Sequence, residues 1–166
     1  MPFASIIFTL CLITGIVYLV YLKRKERELI EQVTPITRGE WSERRVVLRL
    51  LKMGINPKAI FHDLYIQKPN GEYTQVDVAV ATKAGIIVFE VKDYSGWIFG
   101  NEKYKMWTQS LPQGKGRPAK KEKFLNPIMQ NKLHIRCLNV YSKEEYPIYS
   151  VIAFSQRCEL KKIELV

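Results

Sequence analysis

The feature that most restricts the fold of this chain is an uncharged apolar segment near its beginning. Residues 3–22 read FASIIFTLCLITGIVYLVYL, twenty positions without a charged side chain. As a helix they would span about 30 Å, the thickness of the hydrocarbon core of a bilayer. A buried core helix would carry polar positions on one face, and a cleaved signal peptide would begin with basic residues and end at a small-residue cleavage site. The segment therefore predicts an uncleaved transmembrane anchor at residues 1–22.

The residues after this segment predict which way the anchor is oriented. Residues 23–28 read KRKERE, whereas no basic side chain precedes the apolar segment. The positive-inside rule predicts a single-pass membrane protein with its C-terminal part in the cytoplasm. The three cysteines agree, because an odd, scattered set gives no disulfide framework. Residues 23–36 are expected to be a basic juxtamembrane helix or linker, and residues 37–166 a single cytoplasmic domain.

The net charge of +10 belongs entirely to the part of the chain after residue 22. Such a charge favours an anionic partner, which could be nucleic acid or the lipid surface beside the anchor. Charge alone does not choose between these partners.

The first half of the predicted domain reads as one helix followed by three strands. A capping box from Thr37 to Glu40 predicts a helix that ends near Gly54, and Glu43 falls on the apolar stripe of that helix. Strands are expected at residues 59–67, 74–81 and 85–92, with a PNG hairpin turn after the first. In the middle strand Val76, Val78 and Val80 should share one face, with Asp77 on the other.

The second half adds a hairpin, a loop, a helix and a strand. GWIFG should pair with YKMWTQ, and residues 110–123 read as a flexible basic loop rich in Pro and Gly. A helix at residues 126–141 opens with Asn126 as N-cap and Pro127 at its first position. Its predicted core stripe is Met129, Leu133, Cys137 and Val140. With a final strand at residues 149–155, this order predicts an α/β fold, a mixed β-sheet flanked by helices.

Three charged residues on neighbouring strands form the candidate site. Asp77 lies on the middle strand, and Glu90 and Lys92 end the next one, so antiparallel pairing would bring them together. Two carboxylates make an oxygen site of the kind that Mg²⁺ prefers, and a lysine can hold water and offset charge on an attacked phosphate. The alternative is a surface aspartate beside a solvated Glu–Lys pair. Two helical residues favour the site: Glu43 on a buried stripe and Gln130 in the first turn of the second helix.

Several blocks of the sequence together resemble a known family. The blocks read RGEWSERRVVLRLL, HDLYI, TQVDVAVATKAGIIVFEVKDYSGWIFG, NPIMQNKLHIRCL and VIAFS, with a tryptophan at position 107. Their order and spacing over residues 38–163 resemble the nuclease-related domain, NERD, of the PD-(D/E)xK phosphodiesterase superfamily. The resemblance implies a restriction-endonuclease-like fold, preceded here by the transmembrane helix, and a nuclease activity.

The resemblance also implies roles for individual residues. The superfamily aspartate matches Asp77, the E-x-K pair matches Glu90 and Lys92, the helix glutamine matches Gln130, and the helical glutamate matches Glu43. The family's G-x-x-G-E pattern departs at its second glycine, which is Ser42 in this chain.

These inferences predict a membrane-anchored nuclease that depends on Mg²⁺ or Mn²⁺, with DNA preferred over RNA. Asp77, Glu90 and Glu43 would hold the metal, Lys92 would act on the attacking water, and Gln130 would orient water or phosphate. The alternative is a catalytically silent nucleic-acid-binding module tethered to the membrane. Nucleic-acid phosphates would be contacted by the cations of the basic loop, which are Lys115, Arg117, Lys120, Lys121 and Lys123.

Overall fold

The computed structural model of the protein describes residues 2–141 and 146–165. Met1 and Val166, the ends of the predicted anchor and of the predicted domain, lie outside the described residues. In chain order the helices are α1 (Pro2–Glu31), α2 (Trp41–Lys52) and α3 (Pro127–Tyr141), with a short 3₁₀ turn at Pro57–Ala59. The strands are β1 (Ile60–Gln67), β2 (Tyr73–Thr82), β3 (Gly85–Lys92), β4 (Gly96–Asn101), β5 (Met106–Leu111), β6 (Lys120–Leu125), β7 (Ile148–Phe154) and β8 (Cys158–Glu164).

Helix α1 is long and apolar enough to cross a membrane, and within its most apolar stretch no described side chain is buried against the protein. The helix continues past residue 22 because the basic segment consists of good helix formers, including an Arg27–Glu31 pair at 2.9 Å. Its end packs onto the domain, where Ile30 is only 8% exposed and Thr34 is buried in the turn that follows. The segment at 23–36 is therefore mostly helix and is attached to the domain at its end.

The domain contains two mixed sheets where a single mixed sheet was expected. The first has the order β1-β2-β3-β7 and the second the order β6-β5-β4-β8. The parallel pair β3–β7 belongs to the first sheet and the parallel pair β4–β8 to the second. Hydrogen bonds from Ser155 N to Lys92 O and from Gly96 N to Arg157 O link the two pairs where the chain passes between the sheets. The mixed α/β prediction with flanking helices is confirmed.

The predicted bounds of the basic loop, residues 110 and 123, are both wrong, because the loop is shorter. Residues 110–111 complete β5, and β6 begins at Lys120, antiparallel to β5. Strand β6 is a lysine-rich edge strand whose lysines remain in solvent. Its main apolar contact is made by Phe124, which packs on Tyr94 and Trp107. Strand β8 was also not predicted, since its sequence, CELKKIE, is mostly charged.

Two apolar clusters cover the two faces of the first sheet. Val47 of α2 packs with Ile60, Val78 and Val80, whereas Cys137 of α3 packs with a second set, Ile66, Val76, Ala79 and Val88. The prediction that Val76 shares a face with Val78 and Val80 is thus wrong. The β1–β2 pairing is irregular at this point. Asp63 lies between the His62–Val78 and Leu64–Val76 pairs, and its backbone φ is 54°, outside the range of a regular strand.

Helix α3 is capped as predicted but buries a different face. Asn126 Oδ1 accepts the N–H of Ile128 at 3.0 Å, as expected of an N-cap. Of the predicted stripe only Cys137 is buried; Met129, Leu133 and Val140 are 38%, 39% and 67% exposed. The buried face instead carries Asn131 and His134. Asn131 is acceptable there because its amide donates to Val88 O at 2.9 Å and to Ser150 Oγ at 2.8 Å.

Candidate functional site

Asp77, Glu90 and Lys92 lie together where β3 ends. The antiparallel register of β2 and β3 places Val78 opposite Phe89, and the two carboxylates belong to the adjoining residues. Asp77 Oδ2 accepts the N–H of Val91 at 2.6 Å. Glu90 is 3% exposed, and its Oε1 lies 2.6 Å from Lys92 Nζ. The apposition predicted for this part of the sheet is therefore present in the structure.

Asp77 is the electrostatically strained member of this group. Burial, followed by the negative charge of Glu90, raises the pKa of Asp77 from 3.8 to about 7. Glu43 raises the pKa of Asp77 further, while the Val91 N–H and Lys92 act in the opposite direction. The positive charge of Lys92 therefore does not balance the negative charges of the surrounding carboxylates, and the site favours an additional positive charge.

Glu43 has structural contacts that the sequence did not reveal. Residues 35–38 form a turn closed by Arg38 N donating to Pro35 O, so α2 begins at Trp41 with Glu40 as its N-cap. The predicted Thr37–Glu40 capping box is therefore wrong. Glu43 occupies the third helical position, and its Oε2 accepts the N–H of Glu40 at 3.1 Å. This contact gives the buried Glu43 a capping role beside any role in the site.

His62 joins Glu43 to the segment that follows α1. Its Nε2 lies 3.2 Å from Glu43 Oε2, and its Nδ1 lies 3.0 Å from Thr34 Oγ1. The His62 side chain is fully buried. The sequence alone assigns His62 no role, because its partners Thr34 and Glu43 lie on other elements.

His134, one helical turn after Gln130 on α3, contacts Glu90. His134 Nδ1 lies 3.3 Å from Glu90 Oε2. Burial, the largest cause, lowers the pKa of His134, so the imidazole is neutral near pH 7. Glu90 Oε2, His134 Nδ1 and Gln130 Oε1 are buried atoms without a hydrogen-bond partner of good geometry. Buried polar atoms are rarely left in this state, so this side of Glu90 can accept a further polar or charged group.

The predicted carboxylates do not form a three-ligand metal cluster. Among residues 2–141 and 146–165, no three His, Cys, Asp or Glu side chains converge as a metal-binding group. The pair Asp77 and Glu90 nevertheless fits a hard cation, because Mg²⁺ often binds through one or two carboxylates and takes its other ligands from water and phosphate. The predicted ligand role of Glu43 stays a prediction.

A pocket beside Lys92 adds residues that the sequence analysis missed. Its volume is about 110 Å³, and its walls come from α2 and from the ends of β3 and β7. Trp41, Arg45 and Arg49 line it together with Lys92. The signal was available in the sequence, because these residues recur every four positions along one side of α2. Arginine and an exposed indole are side chains that contact phosphates and stack on bases.

The five predicted phosphate-binding cations belong to the edge of the second sheet, whereas Asp77 and Glu90 belong to the first sheet. Lys115 and Arg117 belong to the segment between β5 and β6, and Lys120, Lys121 and Lys123 belong to β6. All five are exposed. Lys120 forms a 2.6 Å ion pair with Glu122.

The comparisons with known proteins give the family. The model of the nuclease-related domain, NERD, matches residues 38–155. The chain belongs to this family. An uncharacterized protein of Bacillus anthracis is 31% identical over 137 residues, which cover 82% of this chain. The chain spans about 62% of that relative's length. No solved structure matches the chain.

The matched family is described as a nuclease-related domain. The matched range contains all five predicted site residues, which are Glu43, Asp77, Glu90, Lys92 and Gln130.

Proposed function

We propose that this NERD protein is a membrane-anchored, divalent-metal-dependent nuclease with the PD-(D/E)xK arrangement. The observation that carries the proposal is the close placement of Asp77 and Glu90 with Lys92, where burial together with the charge of Glu90 raises the pKa of Asp77 to about 7. DNA is the expected substrate, because the resemblance is to restriction-endonuclease-like enzymes.

A purely structural ion pair explains this arrangement less well. Lys92 is 2.6 Å from Glu90, and that pair by itself would be balanced. The second carboxylate, Asp77, adds a charge that its surroundings disfavour. A fold selected only for stability gains nothing from this charge, whereas strongly shifted pKa values are common where a site binds a cation or performs chemistry.

Asp77 and Glu90 would hold the cation. A bound Mg²⁺ or Mn²⁺ would supply Lewis acidity that lowers the pKa of water and offsets charge on the scissile phosphate. Glu90 Oε2 is buried with no hydrogen bond of good geometry, and a polar neighbour of it in the site is the His134 imidazole, so it can take the cation as a partner. Glu43 adds negative potential, since its charge already raises the pKa of Asp77.

The other residues would position water and substrate. The Lys92 ammonium would hold the attacking water and stabilise negative charge as it develops on the phosphate. Gln130 Oε1, also buried and without a donor, would accept a hydrogen bond from water and orient it.

The anchoring part of the proposal is supported by α1 itself. No described side chain in its most apolar stretch is buried, and the basic segment 23–28 follows at once. The domain would accordingly lie on the cytoplasmic side of the membrane.

The deciding experiment measures cleavage of DNA and RNA by the full chain in detergent, with Mg²⁺, with Mn²⁺ and with EDTA. We expect metal-dependent cleavage of DNA that Glu90→Gln and Lys92→Ala abolish. Glu90→Gln should also weaken metal binding in a titration, whereas Lys92→Ala should leave metal binding largely intact. Glu159→Gln is the control, because Glu159 is an exposed carboxylate on β8, outside the site.

Two results would count against a metal-dependent nuclease. If the wild-type chain binds DNA but cleaves nothing with either metal, the silent binding module becomes the better description. If Lys92→Ala lowers the melting temperature and neither variant alters metal binding, the charged group is structural.

A further inference from the structure

A basic groove separates α1 from the outer face of α2. We refer to it as the interhelical groove; its volume is about 600 Å³. Its apolar walls include Ile30, Ile36 and Leu48, with Trp41 at one side. The groove is strongly cationic, because six basic side chains line it against the single carboxylate of Glu26. These basic residues are Lys23, Arg27, Arg44, Arg45, Arg49 and Lys52.

Half of these cations are already used within the protein. Lys52 pairs with Glu26 at 2.5 Å, which ties α2 to α1, and Arg27 pairs with Glu31 on its own helix. Arg44 donates to the backbone oxygens of Arg38 and Gly39.

The other three cations keep their charge available. Within the described part of the chain, Lys23, Arg45 and Arg49 have no carboxylate at ion-pair distance. The Arg45 guanidinium lies over the Trp41 ring, 4.7 Å from its centroid. Because Glu26 is the single carboxylate that lines the groove and Lys52 already pairs with it, the remaining cations favour binding of an anion.

The position of the groove along α1 indicates where the anion would come from. Lys23 is the first residue after the uncharged segment, and Ile30 lies seven residues later, about 10 Å further along the helix axis. The polar headgroup layer is about 5–8 Å thick on each side of the hydrocarbon core. An inserted α1 therefore places the Lys23 end of the groove at the level of the lipid phosphates.

We propose that the interhelical groove binds the phosphate headgroup of an anionic phospholipid. Lys23, Arg45 and Arg49 contact the phosphate, and the apolar walls accept the glycerol and the first acyl methylenes. This inference rests on the proposed membrane anchoring but not on nuclease activity. A bound lipid would fix α2, and with it the pocket beside Lys92, relative to the membrane surface.

The test uses the full chain in a non-ionic detergent and native mass spectrometry to measure retained lipid. Phosphatidylglycerol and phosphatidylcholine are supplied at equal concentration, with inorganic phosphate and a single-stranded oligonucleotide as separate competitors. The test variant carries Lys23→Gln, Arg45→Gln and Arg49→Gln. The control variant removes three exposed lysines from the second sheet and its connections, by Lys103→Gln, Lys161→Gln and Lys162→Gln.

We expect the wild type and the control to retain phosphatidylglycerol at least tenfold better than phosphatidylcholine, and the test variant to lose this preference. Equal retention of the two lipids by the wild type, or an unchanged preference in the test variant, would overturn the proposal. Displacement of the lipid by inorganic phosphate at equal concentration would show a free-anion site, and displacement by the oligonucleotide a nucleic-acid site; either would overturn the lipid assignment. Flotation of the wild type with liposomes, and cleavage assays in detergent, test anchoring and nuclease activity separately.

Discussion

Replacing Asp77 with asparagine should stabilise the metal-free protein at neutral and alkaline pH. In the unfolded chain Asp77 ionises near pH 3.8, whereas in the folded protein its pKa is about 7. Between these values the folded protein keeps a proton that the unfolded chain has released. The free energy of unfolding therefore falls as the pH rises from about 4 to about 7, and the loss is complete above that range.

The size of the effect follows from the two pKa values. A difference of one pKa unit corresponds to about 1.36 kcal/mol, so ionising Asp77 in the folded protein costs about 4 kcal/mol. Asparagine avoids this cost because it stays neutral, and its amide oxygen can still accept the Val91 N–H. We expect Asp77→Asn to gain up to about 4 kcal/mol over the wild type at about pH 8 in EDTA.

The assay is urea unfolding of the detergent-solubilised chain, followed by circular dichroism at several values between about pH 4 and about pH 8. Added Mn²⁺ should stabilise the wild type at the upper end and leave Asp77→Asn unaffected, because binding to the folded state alone raises stability. Asp93→Asn is the opposite control: a hydrogen bond from Arg157 lowers the pKa of Asp93, so removing this charge should reduce stability at neutral pH. If Asp77→Asn is less stable than the wild type at about pH 8 in EDTA, the Asp77 charge is stabilising and the electrostatic argument for the site fails.

Three further predictions test other parts of the molecule. A reporter fused after Val166 should be active if it functions only in the cytoplasm and inactive if it functions only outside; the reverse pattern would contradict the proposed orientation. Changing the five exposed cations of the β5–β6 region to glutamine should weaken binding of every DNA sequence alike and flatten its salt dependence, and unchanged affinity at low salt would make them ordinary surface residues. These cations are Lys115, Arg117, Lys120, Lys121 and Lys123. Asn131→Ala should lower the free energy of unfolding by about 1–3 kcal/mol, because it removes donors to Val88 O and Ser150 Oγ inside the protein. A loss below about 0.5 kcal/mol would show that those acceptors do not depend on Asn131.

The sequence by itself determined the elements whose signals are local. Strand β3 occupies the predicted residues 85–92, and the hairpin turn after β1 and the Asn126 cap are where the sequence placed them. The meeting of Asp77 with Glu90 was also predictable, because two strands joined by a short turn can pair in few registers. These features depend on neighbours within about twenty residues, so a single sequence contains the needed information.

The tertiary structure alone decided which polar residues are buried. The sequence favoured an apolar stripe on α3, yet Asn131 and His134 face the sheet because their partners come from Val88, Ser150 and Glu90 on other elements. Helix α3 can bury a polar face only because those hydrogen-bond partners are in place. The apolar pattern of its own sequence gives no information about them.

The second sheet and the Arg45–Arg49 pocket were decided in the same way. Strand β6 is an edge strand held by its pairing with β5 and by the packing of Phe124, so its lysines gave the local signal of a loop. From the sequence, Arg45 and Arg49 are expected to be solvent-facing positions of α2. In the structure they line the pocket beside Lys92 together with the ends of β3 and β7. Hydrogen bonding and burial are properties of pairs of elements, and pairs distant in the chain are brought together only by the folded backbone.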